Sequence, residues 1–292
     1  MTFLHLAGTS NSLAHAAISA VILVGLLSAS AAAQLAASGS TQQAPQQAPQ
    51  QAPQQAPQQA ANTAPQVTPE VRAEQQRKLQ DDAFHKDWAN LKRYRDDNLK
   101  LAPPAGGEQR VVFMGDSITD GWIRQAPAFF QGRPYVDRGI SGQTTPQMLL
   151  RFRQDVVHLT PKIVVILAGI NDIAGNTGPA TPEMIQDNLM SMVELAKANA
   201  IDVVLCSITP ADNFPWNPGV KPAAKIVEMN AWIKDYAARQ KLVYLDYYSA
   251  MVVDGGGMKR EFTSDGVHPN TAGYAVMGEL ADKAIHAVLA GK

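Results

Sequence analysis

Ser117 is the residue around which chemistry can be built. It follows Val111-Val112-Phe113-Met114, an apolar run that reads as a short buried strand, and it ends the turn-forming triplet Gly115-Asp116-Ser117. The end of such a strand is the ligand-binding edge of an open parallel sheet. A serine there is a nucleophile when a histidine reaches its hydroxyl, and an ordinary turn residue when none does. The chain has six histidines. His5 and His15 lie near the start, and His85, His158 and His286 fall on or at the ends of helical segments. Only His268 sits in a Gly- and Pro-flanked loop, Ser264-Asp265-Gly266-Val267-His268-Pro269-Asn270, with a carboxylate beside it. Asp265 and His268 can pair, the carboxylate accepting Nδ1–H and leaving Nε2 as a base. The competing use is a metal site, but no second histidine or acidic cluster accompanies the pair.

Three further loops offer polar or aromatic groups. Asp137-Arg138-Gly139-Ile140-Ser141-Gly142-Gln143-Thr144-Thr145 holds two glycines three apart, which lets backbone N–H groups approach a ligand; taken alone it is an ordinary loop. Gly169-Ile170-Asn171-Asp172 follows the apolar run Ile163–Leu167. Asn171 there either aims its amide into a cleft or merely makes an Asx turn. After Val203–Ser207, the stretch from Thr209 to Pro222 carries Phe214-Pro215-Trp216. Trp216 on such a loop either lines a substrate site or caps the core.

The elements that must position these loops alternate. Strand-like segments fall at Val111–Met114, Tyr135-Val136, Ile163–Ala168, Val203–Ser207 and Leu242–Leu245. Helical segments run from Gln147 to Leu159, from a capped start at Thr181-Pro182-Glu183, from Ala223 to Gln240 and from Thr271 to Leu289. Strands separated by helices predict a three-layer α/β/α sandwich on a parallel, five-stranded, flavodoxin-like sheet, its site at the carboxyl edge. Neither a GxGxxG fingerprint nor a Walker A motif occurs, so this edge shows no nucleotide signature. Ahead of the first strand, residues 70–101 read as a helical extension with an apolar stripe of Phe84, Trp88, Leu91, Tyr94 and Leu99. Pro103-Pro104 ends it.

The first 69 residues differ in kind, since all 25 basic and 26 acidic residues come at or after residue 70. Ala16 to Leu27 is apolar, and Ser28-Ala29-Ser30-Ala31-Ala32-Ala33 offers A-x-A cleavage sites, so residues 1–33 read as a secretory signal peptide. No Lys or Arg precedes the apolar run, which keeps an uncleaved membrane anchor as the alternative. Residues 34–69 read as a disordered linker: within them Gln-Gln-Ala-Pro repeats four times and begins a fifth copy, and a proline every fourth residue stops a helix. The expected location is secreted or periplasmic, with the amino-terminal segment a candidate for cell-envelope association. A net charge of −1 gives no long-range pull on nucleic acid or acidic membrane. Cys206, the one cysteine, lies in an apolar run and reads as a core residue.

Taken together, Gly-Asp-Ser117, Gly142, Gly-x-Asn171-Asp and Asp265-x-x-His268 resemble, in order, the four sequence blocks of the SGNH (GDSL) hydrolase family. The resemblance spans residues 110–290. The longer stretches Gly-Asp-Ser-Ile-Thr-Asp-Gly-Trp122 and Arg-Gly-Ile-Ser-Gly-Gln-Thr-Thr are similar to bacterial acylhydrolases related to the platelet-activating-factor acetylhydrolase catalytic subunit. Asp137 departs from the pattern, standing where many members carry asparagine. The resemblance implies a serine esterase with Ser117 as nucleophile, His268 as base and Asp265 as its orienting acid. It implies an oxyanion hole from the backbone N–H groups of Ser117 and Gly142 and the side-chain amide of Asn171, and no metal or organic cofactor. The substrate would be a short-chain acyl ester of a small molecule or carbohydrate. Acyl transfer or carbohydrate O-deacetylation at the same site is the alternative, and a binding module that keeps the fold without the activity is the outside reading.

Overall fold

Five short runs of apolar, largely β-branched residues form one sheet in the computed structural model, which describes residues 68–291. The signal peptide and linker read from the sequence therefore lie, but for Thr68 and Pro69, outside the described residues. The strands are β1 (Val111–Gly115), β2 (Tyr135–Gly139), β3 (Ile163–Leu167), β4 (Asp202–Cys206) and β5 (Val243–Leu245). All pair parallel, in the order β2-β1-β3-β4-β5. This is the expected flavodoxin-like sheet. β1 and β3 lie inside it and are buried along their whole length, which is why they read as unbroken apolar runs rather than alternating ones.

Nine helices accompany the strands among the described residues. Before β1 come α1 (Pro69–Lys86) and α2 (Arg95–Lys100). Then follow α3 (Ser117–Gln125), α4 (Thr145–Asp155), α5 (Ile170–Ala174), α6 (Pro182–Ala198), α7 (Ala223–Gln240), α8 (Tyr247–Met251) and α9 (Thr271–Leu289). Right-handed crossovers place α3 on one face and α4, α6 and α7 on the other, and α9 returns to pack against α3. Trp122 of α3 anchors that face, stacked between Phe129 and Tyr274 and edge-on to Phe113 of β1. Gly139 lets α3 come close to β2, because a Cβ there would overlap the backbone of Asp120.

The chain moves outward from β1 to β2 and then crosses back to β3, so the sheet reverses direction between β1 and β3. A crevice opens at that point, outside the carboxyl ends of the strands. The loops that leave β1, β2 and β3 meet there.

The segment before the sheet departs from its sequence reading. Residues 70–101 do not form one helix with one buried stripe. The Asp87 carboxylate accepts hydrogen bonds from the backbone N–H groups of Leu91 and Lys92, and Asn90 takes φ of 52°, so the chain turns between α1 and α2. Of the predicted stripe only Tyr94 is buried, while Phe84, Leu91 and Leu99 are exposed. The turn docks onto the domain together with α2, whose Asn98 donates to Asp155 and to the Gln154 carbonyl and accepts from Arg138.

Candidate active site

Helix α3 begins at Ser117, directly after β1. Asp116 caps it by accepting the Ile118 backbone N–H at 2.9 Å, which fixes the turn and leaves the Ser117 side chain free to face the crevice. The Ser117 Oγ lies 2.9 Å from Nε2 of His268, and Nδ1 of the same ring lies 2.7 Å from Oδ2 of Asp265. The three side chains come from loops 151 residues apart, so the fold alone brings serine to histidine.

The Asp265–His268 pair is held locally. Oδ1 of Asp265 accepts the backbone N–H groups of Val267 and His268, and the Thr263 hydroxyl donates to the His268 carbonyl. Asn270 then caps α9 with two accepted backbone bonds, locking the loop that precedes it. Partial burial by itself would raise the Asp265 carboxyl. Its hydrogen bonds from His268 and the neighbouring backbone outweigh this and hold it below the usual range, so it stays an acceptor for Nδ1–H.

The other predicted residues converge on the same crevice. Gly142 adopts φ of +79°, a conformation costly for any side chain, at the tip of the loop after β2. Asn171 is buried at the first turn of α5, where Nδ2 donates to the Gln143 carbonyl at 3.0 Å. Its other Nδ2 proton has no acceptor among the described residues. Asp172 beside it is structural, accepting the backbone N–H and hydroxyl of Thr145; burial pushes its carboxyl up to about 6. Trp216 is half exposed and its ring lies 5.9 Å from that of His268, whereas Phe214, stacked beneath it, is fully buried. The core cap on this loop is Phe214, and Trp216 faces the crevice.

Several residues that organise the site carry no signal the sequence reading could weigh. Asn176, in the turn after α5, donates from Nδ2 to the Gly142 carbonyl at 3.1 Å and to Oδ1 of Asn171 at 2.9 Å. Its own Oδ1 accepts the Trp216 indole N–H at 3.1 Å. One amide therefore joins three predicted residues from three loops. Arg151 of α4 is wholly buried and donates to the carbonyls of Gly115 and Arg138, to Oε1 of Gln143 and to Asp155. It ties the strand end before Ser117 to the loop that carries Gly142. Glycine-flanked Asn176 looks like any turn, and Arg151 looks like a surface position on an amphipathic helix.

Among the described residues, no group of three or more His, Cys, Asp or Glu side chains is placed to hold a metal ion. Cys206 is buried, and burial carries its thiol well above the usual range.

A model of the GDSL-like lipase/acylhydrolase family matches residues 113–276. Esterase TesA of Pseudomonas aeruginosa is 29% identical over 186 residues, covering 60% of this chain and 86% of that protein. Among solved structures, a GDSL-like lipase of Bacteroides thetaiotaomicron is 48% identical with a TM-score of 0.68, covering 69% of this chain and all of its own. A structure from Bacteroides fragilis is 50% identical with a TM-score of 0.69, covering 70% of this chain and 99% of that one.

Proposed function

Because this chain belongs to the GDSL-like lipase/acylhydrolase family and is thereby a carboxylic ester hydrolase, we propose that it cleaves short-chain acyl esters through an acyl-enzyme on Ser117. The observation that carries this reading is the continuous line from Ser117 Oγ through the His268 ring to Asp265, with contacts of 2.9 and 2.7 Å. In the first half-reaction the Ser117 oxygen attacks the ester carbonyl carbon as its proton passes to His268 Nε2. The backbone N–H groups of Ser117 and Gly142 and the free Nδ2 proton of Asn171 receive the negative charge that develops on the carbonyl oxygen. Collapse of the tetrahedral intermediate breaks the bond to the alcohol, which leaves with the proton from Nε2. Water then attacks the acyl group with His268 again taking the proton, and Ser117 regains its own. Asp265 keeps the imidazole in the tautomer that leaves Nε2 unprotonated at the start of each half.

The side chains of His268 and Asp265 are 36% and 38% exposed. Water therefore has open access to the acyl-enzyme, which favours hydrolysis over transfer to a second alcohol. Export is part of the proposal, and its support is the apolar run Ala16–Leu27 with the small residues after it.

The test is turnover of 4-nitrophenyl acetate with a phosphonate ester as active-site label. Ser117→Ala and His268→Ala should each remove nearly all turnover, and the double variant should be little worse than either. The phosphonate should attach to Ser117 and should do so poorly in the His268→Ala protein. Substantial turnover by a folded Ser117→Ala protein refutes the mechanism.

A further inference from the structure

One wall of a cavity beside the loop that carries Gly142 is built by residues that precede the stretch matched by the family model. Beside the candidate oxyanion groups lies a cavity of about 340 Å³, lined on one side by Gly142 and Asn176. Its other side is Phe84, near the end of α1, and Asp87, Trp88 and Asn90 of the turn between α1 and α2. That turn is clamped through its backbone. Gln143 Nε2 donates to the Ala89 carbonyl and Gln147 Nε2 to the Trp88 carbonyl, each at 2.7 Å, and Gln154 Nε2 donates to the Leu91 carbonyl at 2.8 Å. The buried Tyr94 hydroxyl donates to the Gly139 carbonyl. Two of these glutamines stand in or next to the loop that carries Gly142, so that loop and the turn are one rigid unit. With its carbonyl tied down, the half-buried Trp88 lines the cavity. A second cavity of about 440 Å³ shares Trp88 and Thr177 with the first and continues toward Met184 and Asp187. Trp88 thus stands between two compartments of a groove whose first compartment borders Gly142, a candidate oxyanion donor.

We propose that this groove is a subsite for the carbohydrate part of an ester substrate, with Trp88 as its stacking platform. The proposal rests on the esterase reading above and extends it to the alcohol side of the substrate. A sugar ring offers one face of C–H groups and a rim of hydroxyls. The groove matches that with an indole face and, around it, the Asp87 and Asp187 carboxylates and the amide of Asn90. Among the described residues that line the two cavities none is Lys, Arg or His, so a phosphate headgroup or a free carboxylate finds no countercharge there. A long acyl chain would need an unbroken apolar lining, and acidic and amide side chains interrupt this one.

The experiment compares two probes on the whole protein. 4-Nitrophenyl acetate is too small to span the groove, while a neutral acetylated xylooligosaccharide can lie across Trp88. Removing one aromatic contact in Trp88→Ala should raise KM for the oligosaccharide about tenfold, and Trp88→Phe, which keeps a face, should raise it only about two- to threefold. Both variants should keep kcat/KM for 4-nitrophenyl acetate within about twofold of the parent. An unchanged KM for the oligosaccharide in Trp88→Ala overturns the subsite. Equal loss on both probes, as a collapsed turn would produce, overturns it as well. A parent protein that turns over 4-nitrophenyl acetate but not the oligosaccharide refutes this proposal alone. A parent inactive on both refutes the esterase reading beneath it.

Discussion

Replacing Asn176 with alanine removes two donated hydrogen bonds and one accepted bond without touching the nucleophile or the base. The donated bonds end on the Gly142 carbonyl and on Oδ1 of Asn171, so they decide how the Gly142 peptide sits and which way the Asn171 amide faces. Each such bond is worth about 0.5–1.5 kcal/mol net, so losing both should lower kcat by roughly five- to 150-fold if the loss passes fully to the developing oxyanion. Asn171→Ala removes a donor outright and should cost about 3–4 kcal/mol, on the order of a hundred- to a thousandfold. If Asn176 acts through Asn171, the two losses overlap. The double variant should then be no more than about fivefold worse than Asn171→Ala, the remainder being the share of Gly142. Asn176→Asp is the sharper companion, because a carboxylate cannot donate to either oxygen and should cost at least as much as alanine. The assay is kcat and KM on 4-nitrophenyl acetate, with thermal melting to confirm folding; KM should move little. Full multiplication of the two single losses in the double variant would refute the idea that Asn176 positions the oxyanion donors.

Asp265→Asn should lower kcat at least about a hundredfold with folding intact, because an amide nitrogen facing Nδ1 favours the tautomer that protonates Nε2; steady-state kinetics read it, and near-normal kcat would count against the pairing. Asp137 is almost wholly buried, its Oδ1 accepts the Gly139 N–H, and its Oδ2 has no hydrogen-bond partner among the described residues. Burial pushes its carboxyl up to about 7. The folded protein therefore holds this proton more tightly than the unfolded chain, and the contribution of Asp137 to stability falls as pH rises from about 4 to about 7. Asp137→Asn should accordingly stabilise the fold more at pH 8 than at pH 5, by on the order of a few kcal/mol at most and visible as a larger rise in melting temperature at pH 8; an equal or reversed effect would contradict the assignment. Trp216→Ala should reorder preference among acyl and alcohol groups while shifting the melting temperature by only a few degrees, since Phe214 and not Trp216 fills the core; a uniform loss of activity and stability would reverse that view.

Where structure is carried by short local patterns, the amino-acid sequence alone is sufficient. The parallel α/β architecture follows from unbroken apolar runs alternating with capped helices, because strands buried on both faces and amphipathic helices each have their own periodicity. Asp265 and His268 pair within one tight turn, and Ser117 sits where a strand stops, so both are legible without tertiary contacts. Asn171, Gly142 and Trp216 are ambiguous one by one, since each also suits an ordinary turn or a core cap, and only the folded chain brings their loops together. The extension before the sheet departs from its helical pattern for a related reason: the spacing of Phe84, Trp88, Leu91 and Tyr94 says nothing of an Asp87 carboxylate that turns the chain between them. Asn176, Gln143, Gln147 and Arg151 were beyond local reading altogether. Their roles lie in hydrogen bonds to backbone and side chains up to 59 residues away, and polar groups acquire such partners only when folding removes them from water and leaves each one needing an acceptor or donor nearby.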